Sequence, residues 1–141
     1  MIKAVLDANV LVSAMLTPKG HPAEILRKWR AGSLDLVISL SLLREIQRVI
    51  SYPKIKKRLA QSDSEVNEFL LGLAQFSIMV YGEPQIDIIK EDPTDNKYLA
   101  CAQKAEADFI VTGDQHLLKL QNHKGTKIVN PKEFLNILKE A

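Results

Sequence analysis

Five short apolar runs, at residues 2–6, 36–38, 76–81, 109–111 and 127–129, alternate with longer stretches of helical periodicity along the whole chain. Runs this short and continuous suit strands buried on both faces. Helices between them supply the crossovers that parallel strands require. Helical stretches are expected over 10–16, 22–31, 40–50, 53–59, from Ser62 or Asp63 through Leu73, and over 93–107, 114–120 and 131–140. Breakers separate them: Thr17-Pro18-Lys19-Gly20, Gly32, Pro53, and Gly82-Glu83-Pro84. The expected architecture is a three-layer α/β/α sandwich around a parallel sheet of about five strands. With no repeat, low-complexity segment or linker in 141 residues, residues 1–141 are expected to form one domain. Ligands of such sheets sit beyond the carboxyl ends of the strands.

Two acids fall at that edge. Asp7 follows the first run in Leu6-Asp7-Ala8-Asn9, and Asp114 follows the fourth in Val111-Thr112-Gly113-Asp114. A third, Asp95, lies in Asp92-Pro93-Thr94-Asp95-Asn96 and shares a helical face with Tyr98, Leu99 and Ala102, which turns it toward the sheet. Glu45 interrupts the apolar stripe formed by Leu42, Ile46 and Val49. Arg44 is adjacent and so lies well round the helix, while Arg48, at i+3, can form a surface pair of only about 0.3–0.5 kcal/mol. A buried glutamate costs several kcal/mol unless its charge is compensated. Each acid also has a local explanation. Asp7, Asp92 and Asp114 suit N-caps, Asp95 imitates a capping box after Asp92, and Glu45 can reach solvent from the edge of its stripe. Capping does not account for Glu45, however, and four carboxylates from distant segments converging on one edge would repel. At an effective dielectric of about 20, two unit charges 4 Å apart interact by roughly 4 kcal/mol. Such a cluster calls for a hard divalent cation, Mg²⁺ or Mn²⁺. Zinc is not expected, because His21, His116 and His123 lack ligand spacing and Cys101 is the sole cysteine.

Charge and composition add context. Setting the four acids apart turns the net charge of +2 into +6 for the rest of the chain. A basic surface around an acidic pocket suits a polyanionic substrate, although charge alone equally fits an ordinary mildly basic protein. The densest basic run, Lys54, Lys56, Lys57 and Arg58, either follows a phosphate backbone or is a solvated helical face. One cysteine excludes an intrachain disulfide and fits a reducing compartment. The first apolar run is cut short by Asp7, and no run approaches the roughly 20 residues of a spanning helix, so a cytoplasmic location is expected.

Together, Leu6-Asp7-Ala8-Asn9, the helical Glu45, Asp92-Pro93-Thr94-Asp95-Asn96 and Thr112-Gly113-Asp114 resemble the motifs of the PIN-domain nucleases, in particular the VapC-like toxins of toxin–antitoxin pairs. The resemblance runs from Met1 to about Pro131 and rests on the order and spacing of the motifs together. It implies a Mg²⁺- or Mn²⁺-dependent endoribonuclease, often a homodimer, with an antitoxin protein as partner. It places the acidic quartet, as metal ligands and catalytic groups, on Asp7, Glu45, Asp95 and Asp114. Asn9 and Thr112 fall on positions that orient the first and last acids, with Asp92 and Asn96 as a cap or supporting groups beside them. Three other readings stay open. One is a non-catalytic module binding RNA or an antitoxin-like protein. Another is a haloacid-dehalogenase-like phosphatase, which Asp7-Ala8-Asn9-Val10 imitates except that Asn9 stands where a second acid is required. The last is a structural α/β domain in which the acids are caps. The apolar helix around 69–73, flanked by Leu71 and Ala74, suits either a covered core or a dimer surface, and His116 is expected to pack.

Overall fold

The computed structural model describes Met1–Ala141. Four strands, β1 (Lys3–Leu6), β2 (Asp35–Ser39), β3 (Ile78–Val80) and β4 (Phe109–Val111), are parallel to their neighbours, and β6 (Thr126–Val129) joins β4 in the same sense. A two-residue strand, β5 (Asn122–His123), pairs antiparallel with β6, giving a six-stranded, mostly parallel sheet in the order β3-β2-β1-β4-β6-β5. Ala4, Val5 and Leu6 of β1 are all buried, as are Ile110 and Val111 of β4. Successive strand residues point to opposite faces, so both faces of the sheet are covered.

The order of the strands decides where a site can form. The chain runs outward from β1 through β2 to β3 and then returns to β4 on the far side of β1. The strand order therefore reverses between β1 and β4, and a crevice opens beyond their carboxyl ends.

Helices α1 (Ala8–Leu16) and α2 (His21–Arg30) follow β1, and α3 (Leu40–Ser51), α4 (Pro53–Lys56) and α5 (Asp63–Phe76) follow β2. A 3-10 turn at Pro93–Asp95 leads into α6 (Asn96–Ala105), which packs on β1, β2, β3 and β4, while α7 (Gln115–Leu118) and α8 (Pro131–Glu140) complete the fold. Local sequence explains most boundaries. Ser39 caps α3, accepting the Leu42 N–H at 3.2 Å, and Ser62 and Glu65 form a reciprocal capping box at the start of α5. Helix α6 ends at Glu106, which takes a left-handed conformation with φ 52°. Thirty-five buried residues form one hydrophobic cluster, with Phe134, Leu99, Ile110 and Leu73 fully enclosed.

Three details differ from the sequence expectations. The sheet has six strands instead of five, because Lys124 and Gly125, both at positive φ, turn the chain tightly enough for Asn122–His123 to pair back on β6. A two-residue strand leaves no apolar alternation to read. The third strand is Ile78–Val80 and not 76–81, since α5, once capped, carries its hydrogen bonding through Phe76. Asp95 lies in a 3-10 turn ahead of α6 and not inside a continuous helix over 93–107.

Candidate metal centre at the sheet edge

Asp7 leaves β1 and caps α1. Its Oδ1 accepts the Val10 N–H at 2.9 Å, and its own N–H donates to the Val111 carbonyl at 3.1 Å, extending the ladder with β4. Its Oδ2 accepts the hydroxyl proton of Thr112. The Thr112 oxygen in turn accepts the Asp114 N–H at 3.0 Å, so one fully buried threonine ties together the acids that end two neighbouring strands. Asp7 is 3% exposed, and burial raises its pKa above the usual carboxylate value. Thr112 and the backbone N–H groups of Val10 and Asn9 oppose that shift, while the Asp114 charge adds to it.

Asp114 caps α7, its Oδ1 accepting the His116 N–H at 2.8 Å, and the His116 Nδ1 stands 3.5 Å from the same oxygen. Asp95 comes from the opposite side, at the end of the 3-10 turn, where its N–H donates to the Asp92 carbonyl at 3.0 Å. Its carboxyl is 7% exposed, and its Oδ2 is buried without a hydrogen-bond partner. Burial, a hydrogen bond to Asp114 and the Asp114 charge push its pKa up to about 8, with smaller contributions from Asp92 and Asp7. One carboxyl atom each of Asp95 and Asp114 and one imidazole nitrogen of His116 lie within 4.8 Å of one another.

Glu45 sits at the edge of the α3 stripe and is met by an ion pair to the Lys97 ammonium, the two side chains being 17% and 18% exposed. Its Oε2 has no other partner. The ammonium also lies 5.7 Å from the centroid of the Tyr98 ring. The Tyr98 hydroxyl accepts the Ala8 N–H at 3.1 Å. Burial raises the phenol's pKa, as do the nearby charges of Asp7 and Glu45. The fourth acid is therefore linked to the other three through the first turn of α6.

Asp7, Asp95 and Asp114 thus converge, and Glu45 lies beside them with its charge already engaged. Neither Arg44 nor Arg48 pairs with it. Thr112 binds Asp7 as the sequence motif suggests, whereas Asn9 reaches Asp7 through its backbone while its side chain is exposed. Asp92 accepts the Thr94 N–H and hydroxyl at 3.3 and 2.6 Å. The Asn96 side chain is spent on the chain that precedes it. It accepts the Ile88 and Ile89 N–H groups and donates to the Ile89 and Pro93 carbonyls. Lys54, Lys56, Lys57 and Arg58 are exposed. Sequence reading overlooked Lys97, Tyr98 and His116 as parts of the site. The available signals were that Lys97 is the sole cation between Lys90 and Lys104, and that a tyrosine on an inward helical face needs a partner for its hydroxyl.

The donor set fits a divalent cation. Hard carboxylate oxygens dominate it, one of them is orphaned inside the protein, and the Asp114 carboxyl lies close enough to raise the pKa of Asp95. The clefts of 620 and 640 Å³ between the helices lie elsewhere and contain none of the four acids.

A mostly parallel α/β sheet with clustered aspartates at its switch point defines a domain suited to binding a metal at an open edge. The chain belongs to the PIN domain family, whose profile matches residues 3–116 and so spans all four acids. The PIN domain is generally a nuclease fold, and its nucleases use divalent metals. An uncharacterised protein of Methanocaldococcus jannaschii, MJ1680, is 30% identical over 142 residues, covering 95% of this chain and 90% of that protein. The crystal structure of PAE2754 from Pyrobaculum aerophilum shares the fold. It matches with a TM-score of 0.60 at 16% identity, over 99% of this chain and 91% of that one. No helix of the protein is long and apolar enough to cross a membrane.

Proposed function

We propose that the protein is a Mg²⁺- or Mn²⁺-dependent endoribonuclease acting as the toxin of a VapC-like toxin–antitoxin pair. The observation that carries the reading is the buried Asp95 carboxyl, pressed against Asp114 with one oxygen left unpartnered. Asp7, Asp95 and Asp114 would hold the ion, and His116 stands beside Asp114. When bound, the ion supplies an activated water and draws charge from the scissile phosphoryl group. Thr112 fixes the Asp7 carboxyl, and the Val10 N–H at the start of α1 donates to its other oxygen, opposing the rise in pKa that burial causes. Water attacks phosphorus in line with the 3′ oxygen, whose bond breaks, leaving a 5′-phosphate and a 3′-hydroxyl. The exposed cations Lys54, Lys56, Lys57 and Arg58 extend the favourable field for RNA. A cytoplasmic location, a homodimer, an antitoxin-like partner and one domain over residues 1–141 complete the proposal.

The test is cleavage of end-labelled single-stranded RNA with Mn²⁺ and with EDTA. The wild type should cleave only with Mn²⁺, and Asp7→Asn should lower the rate by a factor of about 10² or more while its melting curve stays cooperative. Undiminished cleavage in EDTA, or by the Asp7→Asn variant, refutes the reading.

A further inference from the structure

Resting on the nuclease reading above, we propose that the Lys97 ammonium is the group that meets the scissile phosphate, and that Glu45 serves the lysine and not the metal. Of the four close pairs of opposite charge type, Lys90–Asp87 and Lys119–Glu91 are about half or more exposed and His116–Asp114 is partly covered, while Lys97–Glu45 is the most enclosed. An enclosed pair contributes little net stability, because desolvation offsets its attraction. The fold therefore has no need of it, and an apolar pair would serve the packing of α3 on α6 as well.

Its position supplies the reason. Lys97 lies two residues after Asp95, on the first turn of α6. The following residue, Tyr98, anchors that turn to Ala8, the neighbour of Asp7, by the 3.1 Å hydrogen bond to its hydroxyl. The ammonium is thus held at a set distance from two of the metal-binding aspartates. It has three N–H donors, and Glu45 is its only protein acceptor. The others remain for oxygens that arrive with a substrate. With one Glu45 oxygen engaged by the ammonium, Asp7 and Asp95 are the acids of the four that have no cationic side chain against them, and with Asp114 they are the ones left for the ion.

In the in-line displacement, negative charge builds on the non-bridging oxygens and on the departing 3′ oxygen. A fixed ammonium lowers the barrier by facing that charge. Glu45 is a positioning residue: it selects the lysine rotamer that faces the substrate and balances the lysine's charge when no RNA is bound.

The test combines RNA cleavage kinetics in saturating Mn²⁺ with calorimetric titration of Mn²⁺ into the RNA-free protein. Lys97→Met should lower kcat by about 10²-fold with little change in KM, and Lys97→Arg should recover at least about tenfold of that loss. Glu45→Gln should lower kcat comparably, and the Glu45→Gln/Lys97→Met double variant should be no slower than the slower single variant. Glu45→Gln should bind Mn²⁺ within about threefold of the wild type, whereas Asp95→Asn should lose binding. A Lys97→Met enzyme with wild-type kcat, or tenfold weaker Mn²⁺ binding by Glu45→Gln, overturns the inference. Asp7→Asn separates the two levels. If it is inactive while Lys97→Met is unimpaired, the nuclease reading stands and the role of Lys97 falls. A wild type that cleaves no RNA removes both.

Discussion

Replacing Asp95 by asparagine should stabilise the metal-free protein and at the same time abolish its response to Mn²⁺. Burial and the Asp114 carboxylate hold the Asp95 carboxyl at about 8, against about 3.9 in an unfolded chain. The folded state therefore binds a proton that the unfolded state has released. Stability from this group is complete at low pH and drains away as pH rises from about 4 to about 8. Each unit is worth about 1.4 kcal/mol, so the cost at pH 7 is at most about 4 kcal/mol, and the high effective dielectric of real protein sites brings it to about 2 kcal/mol. An asparagine is neutral at every pH and escapes that cost. For a chain of this size 2 kcal/mol corresponds to a melting temperature about 6 °C higher in EDTA at pH 7. The advantage should fade toward pH 4. Adding Mn²⁺ at about 100 times its dissociation constant should stabilise the wild type by about 2.7 kcal/mol and leave the variant unmoved, closing or reversing the gap. Thermal melts of both proteins, in EDTA and in Mn²⁺ and at several pH values, provide the measurement. If Asp95→Asn melts lower in EDTA at pH 7, or if Mn²⁺ raises both melting temperatures equally, the carboxylate cluster is not a strained, cation-seeking site.

Asn96→Ala removes four hydrogen bonds from a side chain that is 6% exposed and that pins residues 88, 89 and 93. It should cost about 2–4 kcal/mol in urea unfolding and speed amide exchange at Ile88 and Ile89 specifically. Exchange as slow as in the wild type would show that Ile89, itself buried, holds the segment alone. Exchanging Lys54, Lys56, Lys57 and Arg58 for glutamine should reduce the salt slope of single-stranded RNA binding by about 2–3, from roughly 0.7 per phosphate contact. Fluorescence anisotropy across a salt series measures it, and an unchanged slope would make the run a solvated face only.

Much of this was legible from residue order. The breakers, the caps at Ser39 and Ser62 and the short apolar runs mark local preferences, and local preferences placed most helices within one or two residues. Asp7 shows why the site was only half legible. Its local reading as a cap and its functional reading as a cluster member are both satisfied, since Val10 takes one oxygen and Thr112 the other. Glu45 signalled that it needed a cation, but nothing nearby in sequence named Lys97, which is 52 positions away by residue number. His116 looked like packing because a lone histidine carries no spacing. It joins Asp95 and Asp114 only when α6 and the end of β4 meet.

By itself the sequence determined where five of the strands and most of the helices form and which acids end the strands, because period, capping and turn chemistry act over a few residues. The tertiary structure alone decided that β1 and β4 lie side by side, that Thr112 bridges Asp7 and Asp114, and that the 3-10 turn and the start of α6 deliver Asp95 and Lys97 to the same edge. Such pairings depend on strand order and on long-range packing, where free energy is shared among dozens of buried side chains and no single stretch of chain encodes the outcome.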